Sequence, residues 1–451
     1  MGALGPLGRA LASTGGKLRR PDSLPDPSRP AGEPAAALPF DHVVILMMEN
    51  HSFDCYFGML ARRGQPAADG FTFDALGRPT NRNPLNGGYV LPYRATSECQ
   101  GSVTQNWNST HKQIDGGRMD GFAETSTQAM VYRTDADLPF YYSLAKTFTL
   151  ANRWFCSAPC QTYPNRRFLM AGTAYGNIST DTSSLFDPPP PNGTIFDRLS
   201  AHGLSWRNYF TDLPSSGVIS SVPKKYPTHL VPFSQFFADC AAGTLPSVSL
   251  VDPEFGAAGE VGGPLSELPL PGAPQAGGLV GAQGGSEENP QDVQIGEAFA
   301  ARVVNAVLSS PAWARTLLIW TYDEHGGYYD HVPPPAAIPP DSIPPKLGPG
   351  DVPGGYDIYG PRVPTVVVSP YSRPHAVTNV VHDHTSVLAT IEAKWNLPAL
   401  TMRDANASTL LDFLDRRRPA LLEPPQLAPA ADPLPGEAHC DTSNPTLAVH
   451  H

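Results

Sequence analysis

An unbroken apolar run, Val43 to Met48, stops abruptly at Glu49-Asn50. Such a run, β-rich at its start, suits a strand covered on both faces. The residues that follow change character at once. Glu49 and Asn50 carry oxygen donors where the strand should end, and Ser52, Asp54 and Gly58 signal a turn. Open α/β sheets keep their sites outside the carboxyl ends of their strands. A carboxylate beside an amide oxygen suits a divalent cation there. The plainer reading is a helix entry capped by Asn50 or Ser52.

The pattern recurs. Leu317 to Tyr322 passes directly into Asp323-Glu324 and then into Gly326-Gly327. Two adjacent carboxylates at a buried strand end repel each other and lose hydration, a cost that a cation offsets. The Gly pair lets the backbone turn tightly. A solvated turn is the alternative. A third strand, Pro246 to Val251, ends in Asp252. Phe148 to Ala151, Leu204 to Phe210 and Val363 to Ser369 also read as strands. Leu138 to Phe148, Thr194 to His202, Asp292 to Leu308 and Val387 to Trp395 carry helical patterns.

Thr162-Tyr-Pro-Asn-Arg166 reads as a helix entry, with Thr162 at or near the cap and Pro164 in the first turn. As a cap alone, Thr162 contributes about 1 kcal/mol. The same position faces free N–H groups and the positive end of the helix dipole, which suit a phosphate. With a cation beside it, the hydroxyl becomes a nucleophile. Arg166 and Arg167 add positive charge. His111 lies in polar surroundings, which suit a surface or a site better than a core. His384 stands at the entrance of the last helix, where Thr385 or Ser386 supplies a cap and His384 can meet an anion or support a metal ligand.

The 451 residues suffice for a large core. The chain has 31 Lys+Arg against 42 Asp+Glu, a formal charge of −11, which argues against nucleic acid or an anionic membrane as the main partner. No stretch approaches the ~18 apolar residues of a membrane span. Residues 1–36, rich in Gly, Ala, Pro and Arg, read as a disordered tail. Arg19-Arg20 is followed by Pro-Asp-Ser rather than an apolar segment, so no export signal is read and no compartment is assigned. Residues 256–286 read as a flexible Gly- and Pro-rich insertion and 416–451 as a Pro/Ala-rich tail, leaving 37–415 as one domain. Of the six cysteines, Cys156 and Cys160 are close enough to pair or to be plain thiols, and no Cys or His spacing suits zinc.

Four stretches in order, Glu49 to Gly58, Thr162 to Arg166, Asp323 to Val332 and Asp383 to Ser386, resemble the bacterial phosphoesterase family of non-haemolytic phospholipases C and related acid phosphatases. Plant non-specific phospholipases C are similar too. The likeness runs from about 40 to 400. It implies an α/β, alkaline-phosphatase-like three-layer sandwich with a central, mostly parallel sheet. It implies one divalent cation of unassigned identity on Glu49, Asn50, Asp323, Glu324 and Thr162. Thr162 is then the nucleophile, forming a phospho-enzyme that water hydrolyses.

By the same resemblance, His111 and His384 bind phosphate oxygens or protonate the leaving group. Asn165, Arg166 and Asp252 are secondary candidates around the phosphate. The implied substrate is a phosphate ester, with phospholipid a candidate. Phosphodiester cleavage leads. A phosphomonoesterase is the nearest rival, and a non-catalytic binding protein on a hydrolase scaffold is the rival from another class. The sequence departs from the family at His51, Cys55, Gln105 and Asn289, where Arg or His is usual, which puts the leaving-group acid and the substrate preference in question.

Overall fold

The computed structural model describes residues 18–99, 101, 103–255, 285–431 and 450. The expected runs form the centre of one eight-stranded sheet. Its strands are β1 (His42–Met48), β2 (Thr149–Ala151), β3 (Trp206–Phe210), β4 (Leu230–Pro232), β5 (Val248–Val251), β6 (Thr316–Tyr322), β7 (Val366–Val368) and β8 (Val377–Thr378). Their spatial order is β8-β2-β7-β6-β1-β5-β3-β4. The β1 strand lies between β6 and β5, parallel to both. The β7 strand runs antiparallel to β6 and to β2, while the remaining pairs are parallel.

Every residue of β6 is buried, as are Val43 to Met48 of β1, so both faces of the sheet are covered. The helices used below are α1 (Trp107–Ile114), α2 (Pro139–Thr147), α3 (Thr162–Ala171), α4 (Ile195–Ala201), α5 (Val293–Leu308) and α6 (Thr385–Trp395). The α3 helix packs on α4 and α6, and α5 packs on α2 and β6, giving two helical groups around the sheet. The result is a mixed α/β fold around a large, mostly parallel sheet. Large aromatics fill the interior: Trp320 of β6 lies 4.4 Å, centroid to centroid, from Tyr141 of α2.

Register fixes the site. Met48 pairs with Tyr322, so Glu49 and Asp323 leave the sheet side by side. Leu46 pairs with Val251, which brings Asp252 to the same edge.

The tails differ from expectation. Residues 18–36 are not a disordered tail, because the end of α6 binds them. Asn396, in the left-handed region at the C-cap of α6, donates to Asp26 O (3.0 Å) and Arg29 O (2.8 Å). Arg19 Nη1 donates to Ala405 O over 3.0 Å. Residues 416–431 also lie along the domain: Trp313 Nε1 donates to Leu421 O, and Ala428 N to Ser143 Oγ, each over 3.0 Å. Residues 1–17, 256–284 and 432–449 lie outside the described residues. Ser286, assigned from sequence to the flexible insertion, is buried and its carbonyl accepts Glu49 N over 3.0 Å.

Candidate active site

Three strand ends and one helix start build the site. Glu49 and Asn50 follow β1, Asp323 and Glu324 follow β6, Asp252 follows β5, and Thr162 is the first residue of α3. All are buried. Asn50 sits at φ +65°, and that turn directs its N–H to Asp323 Oδ1 at 3.1 Å. Its amide oxygen faces Thr162 Oγ1 at 3.3 Å. Ser52, not Asn50, caps the short helix Phe53–Phe57, accepting from Cys55 N over 3.1 Å. Gly326 is required here, since a Cβ on it would stand 1.8 Å from Asn50 O.

Arg166 lies between the carboxylates. Its Nε donates to Asp323 Oδ2 (3.1 Å), and its Nη2 donates to Met48 O (3.3 Å) and pairs with Glu49 Oε1 at 3.6 Å. One guanidinium faces more negative charge than it can neutralise. Burial pushes the Glu49 carboxyl well above its ordinary range, Glu288 and Asp323 push further, and Arg166 opposes them. Burial and then Asp323 do the same to Glu324. Glu49 Oε2 and Glu324 Oε1 are buried with no hydrogen-bond partner. Unsatisfied carboxylate oxygens beside an amide and a hydroxyl oxygen form an all-oxygen donor set, the kind a hard divalent cation takes. These residues fit such an ion.

A second group of acidic and imidazole atoms does not. Ligand atoms of Asp54, Asp330 and His331 lie within 4.8 Å of one another. Arg362 already occupies their charge: Nη2 to Asp54 Oδ1 at 3.2 Å and Nε to Asp330 Oδ1 at 2.9 Å. His331 Nδ1 is 2.7 Å from Asp54 Oδ2. None of these atoms is orphaned, so the group is an ion-pair network.

The other sequence candidates part company. His384 Nε2 donates to the Asp323 carbonyl over 2.6 Å, and its Nδ1 accepts from Trp154 Nε1 at 3.4 Å. Burial lowers its basicity. Both ring nitrogens are thus engaged, and the shorter bond ties His384 to the Asp323 backbone. Neither Thr385 nor Ser386 caps α6; both lie inside it, with His384 at the cap.

His111 Nδ1 donates to Trp107 O over 2.8 Å, and its other nitrogen faces Gly354, where a Cβ would stand 3.0 Å away. Its described hydrogen bond does not join it to the carboxylates. Asn165 does not fit a phosphate ligand. Its amide ties the loop before Thr162, donating to Cys160 O (2.9 Å) and accepting from Ala158 N (3.1 Å). Asp252 Oδ2 accepts from Asn208 Nδ2 (2.6 Å) and Ser215 N (2.7 Å), while Oδ1 is unpartnered.

His51, one of the departures, is clamped between Tyr56 and Tyr328 at 4.6 and 4.7 Å, centroid to centroid, and donates to Glu49 O over 3.2 Å. Cys55, Cys156, Cys160 and Cys240 are free and buried, so Cys156 and Cys160 do not pair; Cys99 is disulfide-bonded. Sequence reasoning missed His325 and Gln113. The first sat inside a quoted motif without a role, and the second gave no signal beyond its place on the His111 helix.

A buried, oxygen-rich cluster thus stands at the carboxyl edge of the mostly parallel sheet and faces a helix-start hydroxyl. The chain belongs to the Phosphoesterase family, whose model matches residues 40–398. It is 30% identical over 427 residues to non-specific phospholipase C6 of Arabidopsis thaliana, spanning 88% of this chain and 76% of that protein. It is 29% identical over 418 residues to phospholipase C A of Mycobacterium tuberculosis, spanning 80% and 74%. Among solved structures it is similar to a protein of the alkaline phosphatase superfamily from Vibrio parahaemolyticus, at TM-score 0.36 and 10% identity, covering 77% of each chain. The protein is a phosphoric ester hydrolase. Among the described residues, no helix is long and apolar enough to cross a membrane.

Proposed function

We propose that the protein cleaves phosphodiesters in the manner of a phospholipase C, through a phospho-threonine on Thr162. The observation that carries the reading is the Thr162 hydroxyl, first in α3 and 3.3 Å from Asn50 Oδ1, beside buried carboxylates with unpartnered oxygens. Relatives named phospholipase C, near 30% identity, support the diester over the monoester.

Glu49, Asn50, Asp323 and Glu324 would hold the cation, whose identity we leave open. When bound, it supplies positive charge that acidifies the Thr162 hydroxyl and offsets the charge of the phosphate. Thr162 Oγ1 forms a bond to phosphorus while the bond from phosphorus to the leaving alcohol's oxygen breaks. That oxygen takes up a proton. Water then attacks phosphorus, the Thr162 Oγ1–phosphorus bond breaks, and the phosphorylated head group departs with Thr162 reprotonated. At the start of α3, Pro164 has no N–H, Tyr163 N donates to Thr180 Oγ1 and Asn165 N to Gln161 O, each at 3.4 Å, so the Thr162 N–H is the one that donates to a phosphate oxygen. Arg166, whose Nη1 has no partner, aligns Asp323 and adds positive charge. His384 keeps Asp323 in place.

The test is a paired assay of wild type and Thr162→Ala on p-nitrophenylphosphorylcholine and p-nitrophenyl phosphate. Thr162-dependent release from the choline diester supports the proposal. Release from the monoester alone makes the protein a phosphomonoesterase. No release from either, with cation bound, overturns the choline-diester reading in favour of a narrower phosphate ester. Near-wild-type turnover by Thr162→Ala overturns the mechanism.

A further inference from the structure

His325 is buried between two polar partners that make opposite demands. Its Nε2 is 2.8 Å from Gln113 Oε1, and its Nδ1 is 3.3 Å from Glu324 Oε2. Hydrogen-bond accounting around Gln113 decides which nitrogen carries the proton. The Gln113 amide nitrogen faces Thr104 O at 2.9 Å, Thr125 Oγ1 at 3.0 Å and Gly327 O at 3.4 Å. Two of these are carbonyl oxygens, which only accept. The Thr125 hydroxyl has spent its own proton on Phe122 O at 2.7 Å. A flipped amide would set its oxygen against three acceptors, so the orientation is fixed. Gln113 Oε1 is therefore an acceptor, and His325 must donate to it from Nε2. Neutral imidazole then leaves Nδ1 bare, and that atom is buried without a hydrogen-bond partner.

Glu324 Oε2 has its donor in Gly326 N, at 2.8 Å. A bare Nδ1 beside it offers no competing proton. The other tautomer would place an N–H against the carboxylate and draw off its charge. We infer that Gln113 is a tautomer lock: it holds the proton of His325 on Nε2 and so reserves the charge of Glu324 for the cation. The inference rests on the reading of Glu49, Asn50, Asp323 and Glu324 as a cation site. Gln113 is a positioning residue, acting from α1 through a single ring. Partners one step removed from a metal ligand commonly change affinity by about 10-fold to 100-fold.

The test combines a spectrum with a titration. Long-range 1H–15N spectra of histidine-labelled protein, assigned by difference against His325→Phe, report which nitrogen of His325 is protonated. Calorimetric titration with Mn2+ reports affinity in wild type, Gln113→Leu and the double variant Gln113→Leu/His325→Phe. The expected results are a proton on Nε2 in wild type and an affinity loss of about 10-fold or more in Gln113→Leu. The double variant, which has no ring N–H to offer, recovers most of that loss. A proton on Nδ1 in wild type overturns the lock even if Gln113→Leu fails to fold. So does unchanged affinity in Gln113→Leu, or a double variant no better than it. Absence of Mn2+ binding by wild type overturns the cation reading itself, whereas wild-type binding with an indifferent Gln113 overturns the lock alone.

Discussion

Arg166 Nε donates to Asp323 Oδ2 over 3.1 Å in the buried centre of the site, while its Nη1 finds no partner. The guanidinium is the positive charge that lets Glu49 and Asp323 stand close in low dielectric. Removing one member of a buried pair typically costs about 3–5 kcal/mol. Arg166→Met should therefore destabilise the cation-free protein by about that amount. Saturating divalent cation should restore about 3 kcal/mol at a concentration 100 times its dissociation constant. Urea unfolding with and without Mn2+ measures both; equal stability of variant and wild type without cation refutes this role.

Asp323 links more of the site than any other carboxylate. Its Oδ1 accepts from Asn50 N and Glu324 N, at 3.1 and 2.7 Å, and its carbonyl accepts His384. Asp323→Asn keeps the shape and removes the charge. Bound metal by elemental analysis and turnover should fall together, each by at least about 10-fold. Undiminished metal content refutes the assignment.

The strand ends were legible because a buried apolar run stopping at carboxylates has few physical explanations. The places of Glu49, Asn50, Asp323 and Glu324 at strand ends could thus be read before any geometry was known. Thr162 was legible because Thr-Tyr-Pro-Asn marks a helix start. The roles of His384 and Asn165 were not, because a sequence does not say where a side chain's hydrogen bonds go. His384 spends both nitrogens on Asp323 O and Trp154, and Asn165 spends its amide on the loop before α3. The ordered stretch 18–36 was missed because composition predicts solubility of a segment and not the carbonyls waiting for Asn396.

Glu287 gives the fold a pH dependence. Its carboxylate accepts from Tyr56, from Tyr141 at 2.5 Å and from Tyr322 at 2.6 Å, yet burial outweighs these bonds and pushes it up to about 7. The folded state then holds a proton that the unfolded chain releases near its ordinary carboxyl value. Between that value and about 7 the native state binds more protons, so stability falls as pH rises through this window. The loss is on the order of 3 kcal/mol. Glu287→Gln should flatten that slope and be relatively more stable at pH 8 than at pH 5. Parallel pH profiles of unfolding free energy would refute the account.

Arg362 poses the final case. It fills a pocket whose remaining atoms, from Asp54, Asp330 and His331, already lie within 4.8 Å of one another. Burial works against the charged imidazole of His331, but Asp54 and Asp69 override it and raise His331 to about 10, so at neutral pH it adds a second positive charge. Without the guanidinium, Asp54 and Asp330 become buried carboxylates balanced by His331 alone. Arg362→Ala should therefore cost about 3–5 kcal/mol in chelator-treated protein. The vacated space and two carboxylates should then accept a divalent cation, so that Zn2+ raises the melting temperature of the variant but leaves that of wild type unchanged at this site. Elemental analysis should find about one more metal per chain in the variant than in wild type. A variant whose stability ignores Zn2+ would mean that the guanidinium sets the geometry of these ligands as well as their charge.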